Sequence, residues 1–138
     1  MVGLSNYAAS LANDYIFGKQ TFTIPATLYC AISKGAVTES DTGATFDECD
    51  YTSYARVALT NNNTNFPNST AGSKNIGVDV TFPTATGGSN TITEFIILDS
   101  ATIGAGNIIG GGSLLVPQAV STGIQPVFVA GDVEIAVN

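Results

Sequence analysis

The stretch Asn90-Thr91-Ile92-Thr93-Glu94-Phe95-Ile96-Ile97-Leu98-Asp99 decides the fold. Successive side chains of an extended chain point to opposite faces, so Phe95-Ile96-Ile97-Leu98 is apolar on both sides. Such a run reads as a central strand covered above and below. It is flanked by two turn clusters, Ala85-Thr86-Gly87-Gly88-Ser89-Asn90 and Gly104-Ala105-Gly106-Asn107. Their residues accept positive φ or fold back on their own backbone.

Outward from this centre the chain keeps alternating. Residues 76–82 predict a strand with Ile76, Val78, Val80 and Phe82 on one side. Residues 107–116 predict another, broken by Gly110-Gly111-Gly112, a sign of a bulge or a close backbone approach. Residues 53–60 place Ala55, Val57 and Leu59 inward and Tyr54, Arg56 and Ala58 outward. Residues 26–33 begin after Pro25, with Leu28, Cys30 and Ile32 on one side and Tyr29 and Ala31 on the other. Residues 126–130 and 133–137 close the chain, Val133, Ile135 and Val137 facing inward in the latter. Short strands with regular turn signals, about seven to eight of them, predict an all-β fold, an antiparallel β-sandwich or jelly roll.

One helix precedes them. Leu4, Tyr7, Ala8, Leu11 and Tyr15 recur at helical spacing, Ser5 or Asn6 suits its N-cap, and Gly18 suits a left-handed end. Residues 1–18 are therefore expected to form a helical arm and residues 19–138 a single β-sandwich domain. The stripe packs on a sheet edge or docks on a neighbouring subunit; Leu4, Tyr7, Leu11, Tyr15 and Phe17 are the candidate contact residues.

Composition limits function. The 138 residues are 44% hydrophobic but only 11% charged, with net charge −7. Thr, Ser, Asn and Gly take the place of charge, which suits strands and turns better than helix interiors. Four basic residues, Lys19, Lys34, Arg56 and Lys74, are too few and too scattered for a nucleic-acid partner or an anionic membrane surface. No stretch has the apolar length of a spanning helix, and the N-terminus lacks the features of a secretory signal. Cys30 and Cys49 form one disulfide or remain two buried thiols; the spacing does not decide.

Catalytic chemistry finds little footing. The chain has no histidine, so no Ser-His-Asp or Cys-His arrangement exists within it, and two cysteines alone cannot close a zinc site. No GxxxxGK[ST] phosphate loop is present. Residues 39–50 carry Glu39, Asp41, Asp47, Glu48 and Asp50. That acidic segment reads as a solvated loop, a Ca²⁺ loop unlike an EF-hand, or the carboxylate pair of a glycan hydrolase; the first is preferred, because the spacing does not match an EF-hand and the acids sit in a loop with no tryptophan to form a sugar platform. No cofactor, metal or catalytic residue is expected. Arg56, the single arginine, either lies along the sheet and pairs with an acid or makes a bidentate contact to a partner subunit's carboxylate.

The order of motifs carries a resemblance. The N-terminal helix leads to Pro25-Ala26-Thr27-Leu28-Tyr29-Cys30-Ala31-Ile32-Ser33, then the acidic segment, then Ser53-Tyr54-Ala55-Arg56-Val57-Ala58-Leu59. Val80-Thr81-Phe82-Pro83-Thr84-Ala85-Thr86, Ile92 to Ala101 and Val127-Phe128-Val129-Ala130-Gly131-Asp132-Val133-Glu134-Ile135 follow. This succession resembles, over nearly the whole chain, a family of small tailed-bacteriophage virion proteins: tail-fibre or structural proteins, some like capsid cement (decoration) proteins. The resemblance implies a non-enzymatic virion component. The expectation is a cement protein on the capsid surface, a homotrimer bound to the major capsid protein and to itself. The alternative is a tail-fibre component whose loops meet a host receptor.

Overall fold

The computed structural model describes residues 1–136. Its elements are β1 (Gly3–Leu4), α1 (Asn6–Gly18), β2 (Thr27–Ser33), β3 (Val57–Thr60), β4 (Ser73–Asn75), β5 (Val80–Thr81), β6 (Ser89–Leu98), β7 (Ile108–Ser121), β8 (Val127–Phe128) and β9 (Glu134–Ala136). The fold is mostly β, in antiparallel sheets, with one short helix. A five-stranded sheet runs β1-β7-β6-β2-β3, and two ribbons, β4-β9 and β5-β8, complete the described strands.

The apolar stretch lies in β6, the middle strand of the large sheet, and is covered on both faces. Phe95 and Ile97 join Cys30, Ile32, Phe82, Val80, Ile76, Phe128 and Val133 in the main core, where the two ribbons lie over the sheet. Ile96 and Leu98 point the other way, into a smaller cluster with Ala31, Ile108, Val37 and Phe46. Each such side chain contributes about 1.5–3 kcal/mol on full burial. Phe82, Phe95 and Phe128 meet edge to face, with centroids 5.0 to 6.4 Å apart, which pins the ribbons to the sheet.

The three consecutive glycines mark close approaches, as their spacing suggests. A Cβ on Gly111 would sit 2.5 Å from the Phe95 carbonyl oxygen, and one on Gly110 2.8 Å from that of Gly3. The bulge lies further on. Ile92 pairs with Gln118 but Glu94 pairs with Ser113, so Leu114 to Pro117 loop out of the ladder. The register break also explains why Ile92 joins the main core, although it has the parity of Ile96 and Leu98.

Two strand expectations are corrected. Residues 76–82 do not form one strand. Ile76, Val80 and Phe82 are buried in alternation, but the ladder stops at Gly77, whose N–H donates to Asn65 O at 2.8 Å. Residues 53–60 are extended only from Val57; Ser53 has φ 80, and the segment after it turns over. Ala55 is exposed and Arg56 buried, the reverse of the alternation expected, because Tyr54 and Arg56 both reach inward to Glu48. Val137, expected to face inward, lies outside the described residues.

The helix begins where a cap was expected. The Ser5 Oγ accepts from Ala8 N at 3.2 Å, and its hydroxyl donates to the Ile108 carbonyl, tying the N-cap to β7. The left-handed residue is Lys19, at φ 50 and ψ 31, one place after Gly18. Gly3 and Leu4 pair with Gly111 and Gly110, so the arm is rooted in the sheet.

Candidate functional site

The most constrained polar cluster is built on Arg56. Its Nε donates to Glu48 Oε1 at 2.8 Å and Nη2 to Oε2 at 2.7 Å, a bidentate pair. Nη1 donates at 2.9 Å to both Ser100 O and Ala105 O, and Nη2 reaches Gly43 O at 3.4 Å. All five guanidinium donors are thus engaged within the chain. The Arg56 side chain is 0% exposed and that of Glu48 8%. A bidentate contact to a partner's carboxylate, one of two roles expected for Arg56, therefore has no free donor here; Glu48 of the same chain supplies the carboxylate.

Tyr54 completes the cluster. Its hydroxyl donates to Glu48 Oε1 at 2.8 Å and accepts from Ile32 N at 3.3 Å. Burial, then the Glu48 charge beside it, pushes its pKa far above the usual tyrosine range. The cluster gathers three segments at one place: the 41–48 loop, the 99–107 loop and the turn into β3. Gly43 fits against the 105–106 backbone, its N–H donating to Gly106 O at 2.9 Å. A Cβ there would come within 2.0 Å of the Ala105 oxygen.

The acidic segment is mostly solvated, and its members are separately engaged. Asp41 accepts from Thr38 N, Thr38 Oγ1 and Thr45 Oγ1, each at 2.8 Å, and these bonds hold its carboxyl below the usual range. Asp50 accepts from Lys34 Nζ and Asn90 Nδ2 at 2.8 Å, with the same effect. Among the described residues no group of three or more acids, cysteines or histidines converges as a metal site. Cys30 and Cys49 are free thiols, and burial raises both to about 12. Nothing in this arrangement pairs a nucleophile with a base.

The remaining candidate residues lie on or near α1. Leu4 lines two apolar hollows: one of about 310 Å³ between the sheet and the 66–74 segment, and one of about 210 Å³ that it shares with Tyr7, Leu11 and residues 22–25. Tyr15 and Phe17 stand out into solvent, 63% and 85% exposed, with Ile16 between them. Among the described residues Tyr15 meets one other ring, Phe22, edge-on at 6.5 Å.

A second apolar surface escaped the sequence reading. The looped-out Leu114-Leu115-Val116-Pro117 overhangs a groove of about 620 Å³ whose other side is β8 and the 132–136 segment. Leu115 is fully exposed and Val116 73% exposed. The signal was Pro117, because a proline within a strand marks an edge or a bulge.

A protein-family model described as "Podophage GP4 fiber I protein gp80" matches residues 3–136. No curated protein matches the chain.

Proposed function

The chain belongs to the Podophage GP4 fiber I protein gp80 family, a family of phage virion structural proteins, and from that footing we propose that it is a tail-fibre component that holds host-facing loops on a rigid β platform. The family's description, a fibre protein, carries the reading and favours it over the capsid-cement role expected from the motif order. Three segments tied to one buried guanidinium support it, since binding loops need a stiff scaffold. The 38–45 and 101–104 tips expose hydroxyls and backbone around Ile103, which is 54% exposed, a surface suited to polar contacts with an apolar centre. The protein acts by binding; its virion role needs no reacting group.

Gold-labelled antibodies against this chain, applied to intact virions, test the location. Label at the tail supports the proposal. Label confined to the head overturns it in favour of a cement protein bound to the major capsid protein. The receptor half has its own test. The isolated protein should slow adsorption of the phage to its host, and Ile103→Asp should weaken that competition without altering thermal stability.

A further inference from the structure

We propose that the tip of α1 from one copy of this chain seats in the β7 groove of a second copy, a head-to-tail contact that repeats from copy to copy. The proposal does not depend on where in the virion the chain sits. It starts from the last turn of the helix. Tyr15, Ile16 and Phe17 are 63%, 65% and 85% exposed. Consecutive helical residues are about 100° apart, so these three cover more than half the circumference. Exposed apolar side chains grouped this densely mark a contact surface. Among the described residues nothing buries this last turn, and no residue of α1 lines the β7 groove.

The groove has the matching character. Phe95, Phe128 and Val133, all buried, form its floor, and the exposed Leu115, Val116 and Val127 its walls. Its rim carries Asp132 and Glu134, both exposed. The chain as a whole has net charge −7, so an acidic surface presented to that rim is repelled. The helix tip brings Lys19, one of only four basic residues, exposed and fixed in the left-handed position directly after the helix. An apolar knob ending in a lysine thus faces an apolar groove edged by two acids.

The area is also adequate. The tip and the groove walls together expose roughly 900 Å². That apolar area is of the size found at the centre of a standard interface, which buries about 1,600 Å² of which about 57% is apolar. Tip and groove are different surfaces, which makes the contact heterologous: it closes into a ring or continues as a filament. The homotrimer expected from the family resemblance would be one such ring.

The test measures the mass of the full chain by light scattering or sedimentation at up to about 100 μM, a range that reveals even weak association. Wild type should form oligomers. Phe17→Ser, which spoils the tip, and Leu115→Ser, which spoils the groove, should each be monomeric with unchanged melting, since both side chains are exposed. Mixed together, the two variants should form one-to-one pairs, because each supplies the surface the other lacks. Lys19→Glu should weaken association roughly tenfold, and adding Asp132→Lys with Glu134→Lys should restore it. The charge variants keep the proposal testable if either apolar substitution fails to fold. A wild-type monomer at the highest concentration overturns the proposal, even if the tip binds another virion protein. Oligomers that persist in both variants overturn it, as do variants that are monomeric but do not pair when mixed.

Discussion

Arg56→Ala should be among the most damaging single substitutions in this chain. The guanidinium is buried against a carboxylate that is itself 8% exposed, and it also serves the carbonyls of Ser100, Ala105 and Gly43. Removing it leaves the Glu48 carboxylate uncompensated and three carbonyls short of a donor. Breaking a buried pair from one side costs about 3–5 kcal/mol. Unfolding entropy of about 2.1 cal/mol/K per residue over this length makes 1 kcal/mol worth about 3.4 °C, so the midpoint should fall by roughly 10–17 °C. Arg56→Lys keeps a charge but loses the fork, and should fall in between. Replacing the pair together, Arg56→Met with Glu48→Met, should cost less than the two single changes added, because no lone buried charge remains. Circular-dichroism melts and urea titrations of wild type and the five variants, both single Met changes included, give the result directly. A drop below about 3 °C for Arg56→Ala, or strict additivity in the double variant, would refute the buried-pair reading.

Other expectations follow from the same geometry. Gly43→Ala should destabilise by about 1–3 kcal/mol through overpacking against Ala105 O, whereas Gly123→Ala, with φ 91 and open space, should cost only about 1 kcal/mol; equal melting curves would contradict the loop contact. With their pKa raised to about 12, Cys30 and Cys49 should react with a disulfide reagent at pH 8 roughly a thousandfold more slowly in the folded than in the unfolded protein. Fast labelling of the native chain would show that the thiols are reachable. Asp41 and Asp50 titrate below the usual range when folded, so the unfolded chain takes up protons first as pH falls. Their stabilisation is present above about pH 4 and is lost as the pH drops through their folded values. Asp41→Asn and Asp50→Asn should each flatten the acid limb of a melting-temperature profile, and an unchanged limb would remove their role.

What the sequence showed depended on how local the cause was. Phe95 to Leu98 were legible as a doubly covered strand because periodicity and hydrophobicity agree within four residues. The alternation of Ile76, Val80 and Phe82 was legible for the same reason, although the hydrogen-bonded ladder was not. That ladder fails at Gly77 because residue 65, distant in the pattern, takes the amide. Residues 53–56 misled because their orientation is set by Glu48, which lies in a segment read as solvated. Once that carboxylate is inside, Tyr54 and Arg56 follow it and the strand pattern inverts. The candidate contacts divided similarly. Tyr15 and Phe17 lie on the surface, Leu4 and Leu11 root the helix, and Arg56 is internal. Leu115 and Val116 were missed because a bulge moves an apolar pair from a sheet face into solvent.

The Arg56 cluster has a consequence for how this surface can change over time. Its three loop contacts, at Gly43, Ser100 and Ala105, are all to main-chain oxygen, which every amino acid carries. Gly43 is fixed by crowding and Asp41 by its threonines, but the guanidinium's own grip on the loops does not read side chains. Positions such as Ala44, Thr102 and Ile103 can therefore mutate without loosening the loops that present them. On the proposed receptor-binding role, a virus whose host alters its coat can rewrite those tips one residue at a time while the frame beneath stays closed.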